Sequence, residues 1–212
     1  MTGASSTLAE SGEKMSSGER TALAQSVYRQ ARDMADQVSK ILQMTRLEAG
    51  GIEVDFDWAS ISEIIGSAMA RLSERLAQHR VVVDIPRDLP LVRIDATLIE
   101  QALVNLLENI GKYTPPETQI VISAHAFTDT VELAIADDGP GFSEDPDRLF
   151  QKFYRGDCAG PIPGAGLGLA ICRAILEAHQ GHIHAERAVP HGAGRVRRRG
   201  GRSRVRGQNE PP

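Results

Sequence analysis

Cysteine is scarce: the 212 residues hold two, Cys158 and Cys172. Two thiols cannot form a disulfide framework or a cysteine metal cluster, and their scarcity fits a reducing compartment. Long apolar runs are missing too. No stretch reaches the roughly 20 residues that a membrane-spanning helix needs, and no N-terminal apolar segment reads as a secretory signal. The expectation is a cytoplasmic chain with no membrane span of its own. Net positive charge is missing from most of the length. Residues 187–212 carry eight arginines against Glu210, a net +7, which leaves −11 on residues 1–186 out of a total of −4. An acidic body is not a nucleic-acid surface.

What is present suits a globular protein of one or two domains: 41% hydrophobic and 25% charged residues. Residues 1–15 are small and polar. Ser16 or Ser17 can cap a helix that has Glu19 in its first turn. Leu23, Val27, Ala31, Met34, Val38 and Ile41 follow at spacings of 4, 4, 3, 4 and 3. That is a heptad stripe on a helix of about 30 residues, and Gly50-Gly51 would stop it. One helix cannot bury its own stripe, so it calls for a partner helix.

Beyond Gly51 the pattern changes. I-E-V-D-F-D-W (52–58) alternates as a strand does. Ser60 opens a helix with Ile61, Ile64, Ile65, Ala68, Met69, Leu72 and Leu76 on one face. Residues 80–86 and 91–95 read as short strands, 96–113 as a helix, and 119–125 with 131–137 as a strand pair. A loop from 138 to 166, a helix from 167 to 179 and a strand over 181–186 complete the pattern. The fold class is α+β, an α/β sandwich with helices on one face of a mixed sheet.

Four motifs carry chemistry. In N-L-L-E-N-I-G-K-Y (105–113), Asn105 and Asn109 lie one turn apart on one helix face. As a lone pair they read more readily as exposed or capping polar residues. In A-D-D-G-P-G-F (136–142) an acid ends an apolar strand, and Gly139 and Gly141 let a flat ligand approach the backbone. A simple turn is the plainer reading. In G-A-G-L-G-L-A (164–170) glycines precede a helix N-terminus, whose N–H groups and dipole suit a phosphate. It is neither a P-loop, since the Lys-Ser/Thr is missing, nor a dinucleotide fingerprint, since no strand runs into it. In L-F-Q-K-F-Y-R (149–155), Phe150, Phe153 and Tyr154 read as packing residues and Arg155 as one that can reach an anion. A plain amphipathic helix is the alternative.

The order of these four motifs over Ile52–Glu186 resembles the ATP-binding domain of sensor histidine kinases. N-L-L-E-N-x-x-K-Y, L-G-L-A-I-C-R-A-I and R-L-E-A-G-G look most like the potassium-responsive Kdp-type kinases. The resemblance implies a Bergerat-type ATP-binding domain preceded by a long helix of a dimerisation bundle, with ATP and Mg²⁺ as cofactors. It implies that Asn109 takes the Mg²⁺, that Asn105 faces the same phosphates, and that Lys112 and Arg155 neutralise phosphate charge. Tyr113 would line the nucleotide, Asp137 would read the adenine amine, and Gly139 and Gly141 would give the base room. Gly164, Gly166, Leu167 and Gly168 would surround the phosphates, and 156–166 would form a lid. The implied partners are a second chain, identical or related, paired through 17–49, and a response regulator that receives the phosphoryl group on Asp. Longer relatives would be anchored in the inner membrane.

The chain departs from that pattern at both ends. The six histidines are His79, His125, His179, His182, His184 and His191. None precedes residue 79, where the bundle would carry its phosphoacceptor, and none has the acid and proline context. Their default reading is structural or exposed. The expected layout is residues 1–50 as a partial dimerisation hairpin without the acceptor, 51–187 as the ATPase domain, and 188–212 as a basic, disordered tail. The run G-A-G-R-V-R-R-R-G-G-R-S-R-V-R-G reads in three ways: a frame-shifted end, a tail for nucleic acid or acidic lipid, or a charged but real edge strand. Two other functions stay open: an inert nucleotide-binding or dimerising module, and an anti-sigma-type serine kinase.

Overall fold

The computed structural model describes residues 16–48, 53–142, 145–155, 164–186 and 202–205, with 47–48 and 202–205 as backbone alone. The chain separates into two compact units, Met1–Thr45 and Arg46–Pro212.

The first unit is dominated by α1 (Ser17–Glu48), which runs on into the second. Ser16 caps it. Its Oγ accepts from Glu19 N–H at 3.3 Å, while its own N–H and hydroxyl donate to Glu19 Oε2 at 2.8 and 2.7 Å. This reciprocal capping box satisfies donors that a helix start leaves open. The hydroxyl bond, then the backbone bond, holds the Glu19 carboxyl below its ordinary range. The stripe read from the sequence is largely bare: Met34, Val38 and Ile41 are exposed.

The second unit is a sheet covered by three helices. In chain order it holds β1 (Asp57–Ala59), α2 (Ile61–Leu72), β2 (Arg80–Asp84), β3 (Val92–Ile94), α3 (Ala96–Tyr113), β4 (Gln119–Ala126) and β5 (Val131–Asp137). A 3-10 turn (Pro146–Phe150), α4 (Gly168–Ala178), β6 (His182–His184) and β7 (Arg202–Val205) follow. The main sheet has the order β2-β4-β5-β7-β6, and β1 pairs with β3 in a separate ribbon. β2 runs parallel to β4, and the other neighbours are antiparallel. Along β4, Ile120, Ile122 and Ala124 are fully buried and alternate with more exposed positions, so one face of the sheet carries the core.

The helices meet that face through apolar stripes. α2 offers Ile61, Ile64, Ile65, Ala68 and Leu72; α3 offers Ile99, Ala102, Leu103, Val104 and Leu107; α4 offers Ile171, Cys172 and Ile175. α3 packs against both α2 and α4. Its start is doubly fixed. Asp95 caps it by accepting from Thr97 and Leu98 N–H at 3.0 and 3.1 Å. Asp95 N–H in turn donates to buried His179 Nε2 at 3.0 Å, and the other ring nitrogen donates to Ile175 O at 2.8 Å. His179 thus ties the end of α4 to the start of α3.

Three expectations need correction. Of the strand read over 52–58, the described residues 53–56 pair with no strand, and the strand is Asp57–Ala59, paired with β3. The strand read over 80–86 ends at Asp84, since Pro86 has no N–H to donate and restrains Ile85 before it. The third concerns the basic end: Arg202–Val205, inside the stretch read as a disordered tail, is a strand lying between β5 and β6 and not at an edge. In register, Ser203 and Val205 stand opposite Leu133 and Val131, and Arg202 and Arg204 stand opposite Ala134 and Glu132. The lead-in 1–15, the Gly50-Gly51 stop and the rest of the tail lie outside the described residues.

Candidate functional site

The last two turns of α3 are where the separate motifs meet. Asn105 sits deepest, 1% exposed, and neither its Oδ1 nor its Nδ2 has a hydrogen-bond partner. Such an orphaned amide costs about 1–3 kcal/mol and asks for an explanation. One turn on, Asn109 is half-buried, and Lys112 and Tyr113 reach the surface. The Lys112 ammonium lies 5.5 Å from the centre of the Tyr113 ring.

Three loops close on this helix end. A methyl group placed on Gly168 would lie 3.4 Å from Asn109 Nδ2, and one on Gly164 would lie 2.7 Å from Lys112 Nζ. The glycine-rich loop therefore runs directly over Asn109 and Lys112. Gly166 adopts φ +67°, and a methyl there would meet the Tyr154 carbonyl at 2.7 Å. On the far side, Gly139 packs so tightly that a methyl would come 2.6 Å from Thr114 Cγ2 and 2.8 Å from Asp137 Oδ1. Gly139 N–H donates to that same Asp137 oxygen at 3.0 Å. The structure thus brings Asn109, Lys112, Tyr113, Asp137, Gly139, Gly164, Gly166 and Gly168 to one end of one helix.

The chemistry of this cradle suits a polyanion with a flat head. α4 begins at Leu167 with no side chain capping it, so its first-turn N–H groups face the loop without a side-chain acceptor. Lys112 adds a full positive charge. At the other end a strand-terminal carboxylate lies beside a glycine that leaves no room for a side chain. Gly141, at φ +71°, has nothing within 4 Å of a would-be methyl and opens that end. ATP with Mg²⁺ fits these residues. The orphaned Asn105 amide lies one turn behind Asn109, and methyl groups on Gly164 and Gly168 would fill the space against Lys112 and Asn109.

Other predicted residues are placed differently. Leu167 is 1% exposed, so its side chain serves the core and only its backbone is at the cradle. Arg155 is exposed and follows Tyr154, whose carbonyl touches Gly166. Phe150 is buried and Tyr154 partly so, but Phe153 is 69% exposed at φ +61°. The expectation that Phe153 packs is therefore wrong: its backbone turns left-handed to meet Gly166, which throws the ring outward. Residues 156–163 of the expected lid lie outside the described residues. Two residues the motifs did not mark also belong here. Thr114 forms the wall against Gly139, and His79 Nε2 reaches Thr114 Oγ1 at 3.1 Å. Thr114 directly follows Tyr113 and was findable as a helix cap; His79 carries no local signal.

Residues 94–206 match the family model described as Histidine kinase-, DNA gyrase B-, and HSP90-like ATPase. Sensor protein KdpD of Escherichia coli is 38% identical over 149 residues, covering 70% of this chain and 17% of its own length. KdpD of Clostridium acetobutylicum is 33% identical over 186 residues, covering 86% and 21%. The chain thus spans about a fifth of the length of these relatives. Among solved structures, Acinetobacter baumannii histidine kinase AdeS superimposes with a TM-score of 0.75 at 20% identity, over 98% of this chain and 93% of that one. Histidine kinase ThkA, in its complex with response regulator protein TrrA, does so with 0.68 at 18%, over 97% and 57%. At such identities the two structures speak for the fold.

Proposed function

The chain belongs to the histidine kinase-, DNA gyrase B-, and HSP90-like ATPase family, as a Kdp-like sensor histidine kinase ATP-binding domain, and from that premise we propose that it transfers the γ-phosphoryl group of ATP to a histidine. The observation that carries the proposal is the convergence of the Gly164–Gly168 loop on Asn109 and Lys112.

When bound, ATP supplies the phosphoryl group and Mg²⁺ draws charge from its oxygens. Asn109 would offer the cation one neutral oxygen, enough because Mg²⁺ keeps waters and phosphate oxygens as its other ligands. Asn105 stands one turn behind it on the same face. Lys112 and Arg155 would balance phosphate charge, and the α4 N-terminus would donate its N–H groups. Asp137, which already accepts from Gly139 N–H at 3.0 Å, would accept a hydrogen bond from the base, since a carboxylate takes about four such bonds. Tyr113 would flank the nucleotide. Phosphoryl transfer asks for positioning and charge neutralisation rather than covalent help, and neutral imidazole is a ready nucleophile near pH 7.

Three of the histidines are already engaged: His179 is buried and hydrogen-bonded at both nitrogens, His79 is tied to Thr114, and His184 bridges to Glu186 at 3.3 Å. We assign the acceptor to a histidine on a bundle helix, with pairing through residues 17–49 and a response regulator as the final recipient. No helix among the described residues is long and apolar enough to cross a membrane. The test is calorimetric titration with ATP at set Mg²⁺, followed by label transfer from ATP to a separate acceptor bundle. Saturable Mg²⁺-dependent binding is expected, lost by at least about tenfold (1.4 kcal/mol) in Asp137→Asn and in Asn109→Ala. Binding unchanged in both variants would place the nucleotide elsewhere.

A further inference from the structure

His79 lies outside every motif, between α2 and β2, yet its ring is built into the wall of the site. The segment around it is stitched down: Glu117 N–H donates to Gln78 O at 2.7 Å, Arg80 N–H to Thr118 O at 3.1 Å, and His79 N–H to Leu76 O at 2.9 Å. From that fixed point Nε2 meets Thr114 Oγ1 at 3.1 Å. The Thr114 hydroxyl gives its own proton to Ile110 O at 2.7 Å. Towards His79 it therefore presents a lone pair, so Nε2 carries the ring proton and donates. Nδ1 is left as an acceptor that is buried and has no partner. An apolar side chain would avoid that orphan but could not donate to Thr114.

The bond matters because of what Thr114 touches. Two hydrogen bonds, one donated and one accepted, fix its χ1 and aim its methyl at Gly139. Cγ2 stands 2.6 Å from where a Gly139 methyl would lie, and Gly139 N–H holds Asp137 Oδ1 at 3.0 Å. We propose that His79 is a positioning residue for the base end of the nucleotide site, acting through Thr114 on the Asp137–Gly139 turn. This rests on the ATP reading above. It separates the site into two independently supported ends: the phosphate end is held by the glycine loop and α4, and the base end by the His79–Thr114 pair.

The test is calorimetry with magnesium ATP and, separately, magnesium tripolyphosphate, which has the phosphates without the base. His79→Leu is expected to weaken ATP binding roughly three- to tenfold, the worth of one hydrogen bond, with tripolyphosphate binding unchanged. His79→Gln, whose amide N–H can stand near Nε2, is expected to restore ATP binding. Thr114→Ser, which keeps both hydrogen bonds and deletes the methyl, is expected to weaken ATP alone and guards against a His79 variant that fails to fold. Equal losses for both ligands, or no loss of ATP binding in folded His79→Leu and Thr114→Ser, would overturn the proposal. Wild-type protein that binds neither ligand would sink the ATP reading itself, a distinct outcome.

Discussion

A single side chain states the tension in this molecule most clearly. Asn105 spends a buried position on an amide with no partner, in a stripe whose neighbours Ala102, Leu103 and Leu107 are all apolar. A polar group so placed destabilises the ligand-free protein, and strain of this kind concentrates at functional sites. Asn105→Leu is expected to stabilise the ligand-free domain by about 1–2 kcal/mol, seen as a higher Tm, while weakening ATP binding. A lower Tm would mean that the amide is satisfied in solution and that its role is structural. The sequence already marked Asn105 and Asn109 by their spacing. It did not mark His79, because what makes that ring matter is a bond to Thr114, 35 positions away.

At the scale of elements, most boundaries follow from local chemistry. Ser60 and Asp95 cap α2 and α3 as their side chains allow, and the 3.6-residue stripe defines the buried face of each helix. The glycine loop is different. Gly166 has a positive φ and also abuts the Tyr154 carbonyl, so a side chain there meets both a strained backbone and a clash. Gly166→Ala is expected to cost about 1–3 kcal/mol, read from chemical denaturation, and to loosen the 153–154 segment from the loop. A loss under about 0.5 kcal/mol would show that the loop adapts. The same contact explains why Phe153 is not a packing residue. An F-x-x-F-Y spacing looks amphipathic, but the left-handed turn at Phe153 breaks the periodicity that the spacing assumes.

For the whole molecule the decisive element is the one that looked least like structure. β7 bridges β5 and β6, and among the described residues no other strand joins β6 to the sheet. A chain ending at Glu186 would leave the edge of β5 unpaired and β6 detached. Its melting transition is expected to fall by several degrees, at about 2–4 °C for each kcal/mol lost in a domain nearer 150 residues; an unchanged transition would show that β7 contributes nothing to stability. The sequence by itself determined the helices and the β4–β5 pair, because each is set by local periodicity, caps or turn residues, and it marked the residues of the cradle through the order of the four motifs. Only the tertiary structure decided that the Gly164–Gly168 loop lies over Asn109 and Lys112, that His79 braces Thr114, and that an arginine-rich segment completes the sheet. Those outcomes depend on which segments meet across long stretches of chain, and no pattern within one segment records the contact that another will make.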